Sequence, residues 1–324
     1  MKKQIKIFDF NLDLAPEERW IELFDFYKDK LTDLKKECNN ILNKFNYQNY
    51  QYMVKMGTFF LKQKIYHSKE IEYIAKRLEM SFDEILILQL LYECNSACTT
   101  TVYKINEKDF YFRSMDWPMN FLKDITINLN IIKNGKIIGN AITWLGYVGF
   151  LTASKINNSI IDYTMAINFR ITDGLNMNNL IKNVINTMLL YWPVSYLVRH
   201  IIENQYQFNQ TLNILKTYIL VSPCYITICK PEKMTFVLTR NYNTLDSIRT
   251  LTNNDNCQTN CDYNKTEPNI LYSLERRKYL NNLSTTISNV DLLKEKLFKF
   301  PIVNEETIYV YTYYDNELNL YINE

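Results

Sequence analysis

The hydrophobic pattern of this chain changes once, at Cys98. Residues 1–97 contain a short strand-like run and then apolar side chains at helical spacing, for example Trp20, Leu23 and Phe24. After Cys98 the chain alternates as strands do, gives way to helical spacing, and returns to strands. A chain of 324 residues with this order predicts antiparallel sheets with helices packed outside them.

The predicted elements can be placed in more detail. A second amphipathic stretch covers residues 50–65, and Ser81 with Glu84 forms a capping box that opens a helix over 85–93. Asn134-Gly135 between two alternating runs predicts a tight hairpin. Further strands are expected over 147–153 and 159–169, the most apolar stretch is 188–198, and 253–265 is expected to be a polar loop.

Composition excludes several classes of site. The six glycines do not cluster as a phosphate-binding loop requires. A net charge of +2 gives no indication of a basic surface that binds nucleic acid. Only two histidines and no paired Cys-x-x-Cys make a protein-held zinc unlikely by composition, so we expect no metal or organic cofactor. Seven cysteines leave at least one unpaired, and spacing alone leaves open whether Cys257 and Cys261 bridge.

Cys98 itself opens a predicted strand, and Arg113 and Asp116 follow one hairpin later. His67 and His200 are both predicted at the surface or at a helix end, so the cysteine needs another base. If the bond between Ala97 and Cys98 is cut, the freed α-amine can serve as that base, as in an N-terminal nucleophile hydrolase. The alternative is a buried structural cysteine, the commonest fate of a free thiol.

Six segments, in order, resemble one family. They are 10–20 (Phe-Asn-Leu-Asp-Leu-Ala-Pro-Glu-Glu-Arg-Trp), 84–99 leading into Cys98-Thr99, 144–149 (Trp-Leu-Gly-Tyr-Val-Gly), 193–199 (Pro-Val-Ser-Tyr-Leu-Val-Arg), 258–262 (Gln-Thr-Asn-Cys-Asp) and 275–277 (Glu-Arg-Arg). Together they resemble acid ceramidase and N-acylethanolamine-hydrolysing acid amidase. The resemblance spans nearly the whole chain, and segment 193–199 slightly favours the N-acylethanolamine branch.

The resemblance implies the four-layer αββα sandwich of N-terminal nucleophile hydrolases, an α+β fold. It also implies autocatalytic cleavage between Ala97 and Cys98, favoured at acidic pH. Residues 1–97 would then form a helical α-subunit that stays associated with the catalytic β-subunit, residues 98–324. It further implies a lysosomal or secreted location, whereas the N-terminal residues show no apolar core of a signal sequence.

The same resemblance assigns roles beyond Cys98. Arg113 would fix the cysteine or the substrate carbonyl, Asp116 would hold the new ammonium, and Asn260 would donate to the oxyanion. Arg276 matches the first arginine of the family's pair, with Arg277 as the fallback. Each has a plainer alternative: a strand-end ion pair for Arg113 and Asp116, a turn residue for Asn260, and a solvated charge for the arginines. Substrate contacts are expected from four residues: Trp117, Trp144, Tyr147 and Asn168.

The expected activity is hydrolysis of a fatty-acyl amide, of the N-acylethanolamine or ceramide type, through a Cys98 thioester. One departure is Phe169 in the run Asn168-Phe169-Arg170, where the family has an acidic residue. A non-catalytic acyl-lipid-binding relative is therefore an alternative, as is an acyltransferase or an amidase for another acylated amine. Stretches 50–65 and 188–198 correspond to family helices that present apolar surface to lipid, although such spacing more often marks a core.

Overall fold

The computed structural model describes the chain except residues 1, 5, 92–95, 171–176, 253–254, 267–268, 270–271, 284–288 and 324, and the side chains of 2–4 and 177–180. The helix predicted over 85–93 therefore runs partly outside the described residues, as does the approach to Cys98 through 92–95.

The strands form two sheets. The six-stranded sheet has the order β1-β14-β13-β4-β3-β12, and the eight-stranded sheet has the order β11-β10-β9-β8-β7-β6-β5-β2. The strands are β1 Lys2–Gln4, β2 Ile7–Asn11, β3 Ala97–Ile105, β4 Lys108–Asp116, β5 Thr126–Lys133, β6 Lys136–Trp144, β7 Thr152–Asn157, β8 Ile160–Phe169, β9 Cys224–Lys230, β10 Met234–Arg240, β11 Leu245–Thr250, β12 Cys257–Gln258, β13 Thr307–Tyr314 and β14 Glu317–Asn323.

The α-helices occur in three groups along the chain. They are α1 Ile21–Phe26, α2 Leu31–Lys44, α3 Gln51–Leu61, α4 Ser68–Leu78 and α5 Phe82–Gln89 before β3; α6 Phe121–Asp124, α7 Met177–Met188, α8 Val194–Glu203 and α9 Phe208–Thr217 in the middle; and α10 Ser273–Leu283 and α11 Val290–Leu297 near the end.

The two sheets pack face to face between two layers of helices. α8 and α9 cover the eight-stranded sheet. On the far side, Leu280 of α10 and Leu293 of α11 pack against Phe110 and Phe112 of the six-stranded sheet. Burying both faces of both sheets gives the four-layer αββα arrangement.

Local turn and cap signals give the expected structure. The Asn134-Gly135 hairpin joins β5 to β6, with both residues at positive φ as a tight turn requires. The Ser81 hydroxyl accepts from the Glu84 main-chain N–H, and the Glu84 carboxylate accepts from the Ser81 N–H. The capping box that opens α5 is therefore confirmed.

Other predictions are corrected. Residues 147–151 are not strand, since β7 begins only at Thr152. The Gly149 backbone lies so close to Ser195 of α8 that an added Cβ would meet its Oγ at 2.3 Å, so this segment packs against a helix instead of pairing. The sheets are antiparallel except that β2 pairs with β5 in parallel. The predicted loop at 253–265 contains β12, and β11 and α10 were missed.

A buried ion-pair cluster joins residues 1–97 to the rest of the chain. Glu70 of α4 is 1% exposed and accepts from Arg199 of α8 at 2.8 and 2.5 Å and from Trp20 Nε1 at 2.7 Å. Arg19 lies 3.1 Å from the same carboxylate. Segments 10–20 and 193–199, which carry much of the family resemblance, therefore meet at one buried carboxylate.

Candidate active site

Cys98 is the second residue of β3 and is fully buried between the two sheets. The chain is continuous from Ser96 through Ala97 into the strand. β4 lies antiparallel on one side, with Ala97 opposite Asp116 and Thr100 opposite Arg113. The hairpin register therefore explains why Arg113 and Asp116 reach the start of β3.

Arg113 contacts the sulfur directly. Its Nη2 lies 3.3 Å from Cys98 Sγ and also donates to the Ile167 carbonyl at 2.8 Å. Nη1 donates to the Ser114 carbonyl at 3.1 Å. A buried guanidinium this close to the sulfur can stabilise negative charge that develops there during a reaction.

The main-chain nitrogen of Cys98 faces Asn260. It donates to Asn260 Oδ1 at 2.7 Å, while the Nδ2 group of the same side chain donates to the carbonyls of Ser96 at 3.3 Å and Phe169 at 2.9 Å. Asn260 therefore contacts both sides of the junction between Ala97 and Cys98. The nitrogen that cleavage would free has Asn260 as its hydrogen-bond partner.

Asp116 and Arg276 form a buried pair beside this junction. Arg276 Nη1 lies 3.3 Å from Asp116 Oδ2, and Arg276 Nη2 donates to Asn260 Oδ1 at 3.2 Å. Burial raises the pKa of Asp116, against the opposing effect of Arg276, and burial also lowers the pKa of Arg276. Arg276 reaches the centre through Asp116 and Asn260, which makes it a positioning residue.

Hydroxyl groups that the sequence did not single out complete the pair. Thr307 donates to Asp116 Oδ1 at 2.7 Å, Ser114 donates to Asp116 Oδ2 at 3.2 Å, and Thr99 accepts from Arg276 Nη1 at 2.6 Å. The Glu306 carboxyl is a further neighbour: burial and then the charge of Asp116 raise its pKa. Thr307 and Glu306 are distant in sequence, and no local pattern marks them.

Asn168 lies beside Cys98, and its side chain forms hydrogen bonds with other groups of the protein. Its Nδ2 donates to the carbonyls of Cys98 at 3.2 Å and Gln258 at 3.0 Å, and its Oδ1 accepts from Thr100 at 3.0 Å. It thereby ties β8 of one sheet to β3 and β12 of the other. Asn168 therefore holds β3 in place at Cys98 through contacts within the protein, and its expected contact with substrate remains a prediction.

The other three predicted substrate-contacting residues share an apolar cavity. Trp117, Trp144 and Tyr147 line this cavity together with side chains of α2, α4 and α5. The cavity wall is built from both 1–97 and 98–324, and Trp117 directly follows Asp116 in the chain.

The two histidines have partners elsewhere. His67, at the start of α4, is only 14% exposed and lies 4.0 Å from Glu70, and burial lowers its pKa to about 4. The His200 ring packs against Trp192 in a tilted arrangement, with ring centroids 4.8 Å apart. Cys257 and Cys261 are buried and do not bridge, and no disulfide forms among the six cysteines that the structure describes. The described residues contain no cluster of three side chains suited to a metal.

Comparison with known proteins identifies the family. A protein of Acanthamoeba polyphaga mimivirus, named uncharacterized protein R632, is 44% identical over 95% of this chain and 95% of its own length. N-acylethanolamine-hydrolyzing acid amidase of Mus musculus is 26% identical over 94% of this chain and 84% of its own length. A family model for the beta subunit of the same amidase matches residues 3–62. The chain belongs to the acid ceramidase and N-acylethanolamine-hydrolyzing acid amidase family.

A solved structure of this family confirms the predicted fold. The Caenorhabditis elegans N-acylethanolamine-hydrolyzing acid amidase ortholog superposes with a TM-score of 0.55 at 24% identity and covers 66% of this chain and 92% of its own. Acid ceramidase of Bos taurus is 26% identical over 68% of this chain and 59% of its own length. The relatives named as amidase or ceramidase are amide hydrolases by name, and the mimivirus protein carries no functional name. The segment matched by the beta-subunit model lies within 1–97, the part that we predicted as the α-subunit.

Proposed function

We propose that this chain cuts itself between Ala97 and Cys98 and then hydrolyses fatty-acyl amides of the N-acylethanolamine or ceramide type through a Cys98 thioester. The observation that carries the proposal is the pairing of Cys98 Sγ with Arg113 at 3.3 Å while the Cys98 nitrogen faces Asn260 at 2.7 Å. The proposed nucleophile and its future base thus both belong to Cys98, and the stabilising cation of Arg113 lies beside them.

In the first reaction, the sulfur attacks the Ala97 carbonyl carbon and the thiol proton passes to the leaving nitrogen of Cys98. Water then cleaves the resulting thioester, which leaves a carboxylate on Ala97 and a free amine on Cys98. Ser96 accepts one hydrogen bond from Asn260 Nδ2 in the uncut chain. Once Ser96 belongs to a separate segment and moves away, that N–H can donate to a substrate oxyanion.

In the second reaction, the amine of Cys98 takes the proton of its own thiol. A free thiol titrates near ~8.5 and an α-amine near ~7.7–8, so the transfer is nearly balanced. The thiolate attacks the substrate carbonyl carbon, the C–N bond breaks, and the ammonium returns its proton to the leaving amine. Water hydrolyses the thioester. Because Cys98 is fully buried before the cut, turnover requires the cut first.

The apolar cavity fits the acyl chain, and its walls explain why both segments are needed. Side chains of α2, α4 and α5 face Trp117 and Trp144 across it, so loss of residues 1–97 would open the cavity to water. The Glu70 cluster supplies buried contacts that hold the segments together after the cut. These observations support an associated α/β pair.

An exposed apolar face supports association with a lipid surface. Tyr52, Phe59 and Phe60 of α3 are 75%, 81% and 70% exposed, and Leu189 after the neighbouring α7 is 58% exposed. Exposed aromatic residues concentrated on one face are typical of an interaction site. Stretch 188–198 does not contribute as a helix, because α8 begins at Val194 and its apolar side chains are buried. No helix among the described residues has the length and hydropathy to span a bilayer.

Trapping of the acyl-enzyme tests the activity. The cut protein is mixed with an N-acylethanolamine or a ceramide, quenched in acid and analysed by peptide mass spectrometry. We expect acyl mass on the peptide that begins with Cys98, together with release of the fatty acid. Acyl transfer to an added amine in place of water would favour the acyltransferase. If the protein binds lipid but shows neither an acylated Cys98 peptide nor turnover, the alternative suggested by Phe169 is favoured, a non-catalytic lipid-binding relative.

A further inference from the structure

A second, polar cleft lies at the same end of the sheets as the apolar cavity. Its walls are Arg170 after β8, side chains of β10 and β11, and the loop 262–265 that follows β12. Its charged side chains are Arg170, Asp246, Arg249, Asp262 and Lys265. None of these residues has a role in the proposed function.

Strand order puts the cavity and the cleft on opposite sides of Cys98. In the six-stranded sheet, β3 has β4 on one side and β12 on the other. β4 ends at Asp116 and leads to Trp117 in the wall of the apolar cavity. On the other side Gln258 pairs with Thr100, Asn260 comes level with Cys98, and 262–265 continue past the start of β3 into the cleft.

The eight-stranded sheet repeats this division. β6 ends at Trp144 on the side of the cavity, β8 leads to Arg170 on the side of the cleft, and β7 runs between β6 and β8. An amide substrate has the same two-sided form, with the acyl chain on one side of the reacting carbon and the amine substituent on the other. If the acyl chain fills the apolar cavity, the amine substituent points toward the cleft.

The two arginines of the cleft already have ion-pair and hydrogen-bond partners within the protein. Arg170 donates to Asp246 at 2.5 Å and to Asp262 at 2.9 Å, and Arg249 donates to Gln258 Oε1 at 2.8 Å and pairs with Asp255. A second alkyl chain, as in a sphingoid amine, would desolvate these ion pairs without replacing their water contacts. The cleft therefore favours a short polar amine.

Lys265 differs from the two arginines. Its side chain is 61% exposed, and its ammonium group contacts Asp262 at 3.0 Å. An ammonium carries three N–H donors, so it retains donors that point to solvent in the cleft. We infer that the cleft binds the amine half of the substrate, that this half carries a carboxylate, as in an N-acyl amino acid, and that Lys265 recognises it. This inference rests on the proposed amidase activity.

The test compares head groups at a constant acyl chain. The cut enzyme is assayed with N-lauroylglycine, N-lauroylethanolamine and N-lauroyl methylamide, whose neutral head group is the reference. We expect the highest kcat/KM for the glycine amide. Lys265→Glu should lower that value about tenfold, leave the methylamide within about twofold, and remove the salt dependence of the ratio between them.

A matched control separates this inference from general effects of charge and folding. Lys278 of α10 is exposed and does not line the cleft, so Lys278→Glu makes the same change in charge elsewhere. Equal effects of the two variants, or a wild-type preference for ethanolamine or methylamide, would overturn the inference while the amidase stands. Failure to turn over any of the three amides would overturn the proposed function, and the head-group assignment with it.

Discussion

At the scale of single residues, the centre depends on a buried charge next to a sulfur. Arg113 is fully buried and contacts the Cys98 sulfur, the Met115 sulfur, main-chain carbonyls and the ring of Tyr309. Asp116 is held apart from the sulfur by its own partners, Thr307, Ser114 and Arg276. We therefore propose that Arg113 stabilises negative charge on the Cys98 sulfur, and that Asp116 acts on the groups that surround it.

Replacing Arg113 by Gln should slow both the cut and amide turnover by about 100-fold, because one electrostatic donor near a reacting centre is typically worth that much. Arg113→Lys, which keeps the charge but not the fork, should recover part of the rate. The measurement is the rate of appearance of cut protein in a time course on denaturing gels.

The matched control is Arg240→Gln. Arg240 is also a fully buried guanidinium, but its side chain donates to the carbonyls of Leu215 and Tyr218 at the end of α9 and of Thr244 after β10. If Arg113→Gln and Arg240→Gln slow the cut equally, the effect comes from loss of a buried charge in general, and the proposed role of Arg113 is wrong.

Sequence predicted the part of this centre that lies within one hairpin. The register of β3 and β4 brings residues 97, 113 and 116 together without any long-range information. Asn260 and Arg276 were reached only by family resemblance, and Thr307 and Glu306 were not reached at all. Their position depends on β13 pairing with β4 across most of the chain, which no local pattern encodes.

At the scale of elements, α4 and α8 are joined through the Glu70 carboxylate, whose negative charge is balanced by the guanidinium of Arg199. Arg199 lowers the pKa of Glu70 to about 2, although burial opposes this effect. The neighbouring His67 is held neutral, mainly by burial and then by Arg199. Glu70 and His67 become protonated in different pH ranges, so their contributions to the pH dependence of stability can be distinguished.

The pKa of His67 is about 4 in the folded chain and 6.5 as its ordinary value. As the pH falls, His67 therefore binds a proton in the unfolded chain before it does so in the folded chain. The free energy of unfolding decreases from about pH 6.5 down to about pH 4. The ionised Glu70 stabilises the fold above its ordinary pKa of 4.5, and this stabilisation is lost only as the pH falls below that value. His67→Asn, which tolerates the positive φ of 58° at this residue, should reduce the loss between pH 7 and pH 5 by about 2 kcal/mol.

The measurement is urea unfolding at pH 7, 6 and 5, made on Cys98→Ala and on the double variant so that no cut intervenes. An unchanged loss of stability between pH 7 and pH 5 in the double variant would contradict the assignment to His67.

The exposed face of α3 gives a second prediction at this scale. Phe59→Ser with Phe60→Ser should lower binding to anionic phospholipid vesicles at least about tenfold, since burying one such ring is worth about 1.5–3 kcal/mol. Because both rings are exposed, the melting temperature should change little. The measurement is vesicle co-sedimentation.

Ile160→Ser serves as the control for the vesicle experiment, because Ile160 is also exposed, at 58%, but starts β8 on another part of the molecule. Vesicle binding that drops equally in this variant, or that survives in the double serine variant, would rule out α3 as the contact with lipid.

Helices and hairpins with their own caps or turns were predicted well, as α5 and the β5–β6 turn illustrate. The segment 147–151 was not, because Val148 accepts from Arg199 and donates to Gln89, which replaces the strand pairing that its alternation predicts. α10 was missed because its apolar side chains do not follow a clear helical stripe: Leu280 is buried in the core, with the adjacent Tyr279 and Leu283 only partly buried against it. Tertiary contacts decided both cases.

At the scale of the whole molecule, the two segments on either side of Cys98 share one core and one cavity. The Glu70 cluster, the apolar cavity and the hydrogen bonds of Asn260 each cross the boundary at Cys98. A chain cut at that boundary keeps nearly all of these contacts. The proposed cut would leave the Glu70 cluster and the apolar cavity in place while it releases Ser96 from Asn260 and uncovers Cys98.

The most direct measurement is the intact mass and N-terminal sequence of the purified chain after incubation at acidic pH, with Cys98→Ala treated in parallel. The account predicts two fragments that co-elute under native conditions, the larger beginning with Cys98, and an uncut Cys98→Ala chain. A chain that hydrolyses acyl amides while it remains uncut, or a cut that also occurs in Cys98→Ala, would contradict it.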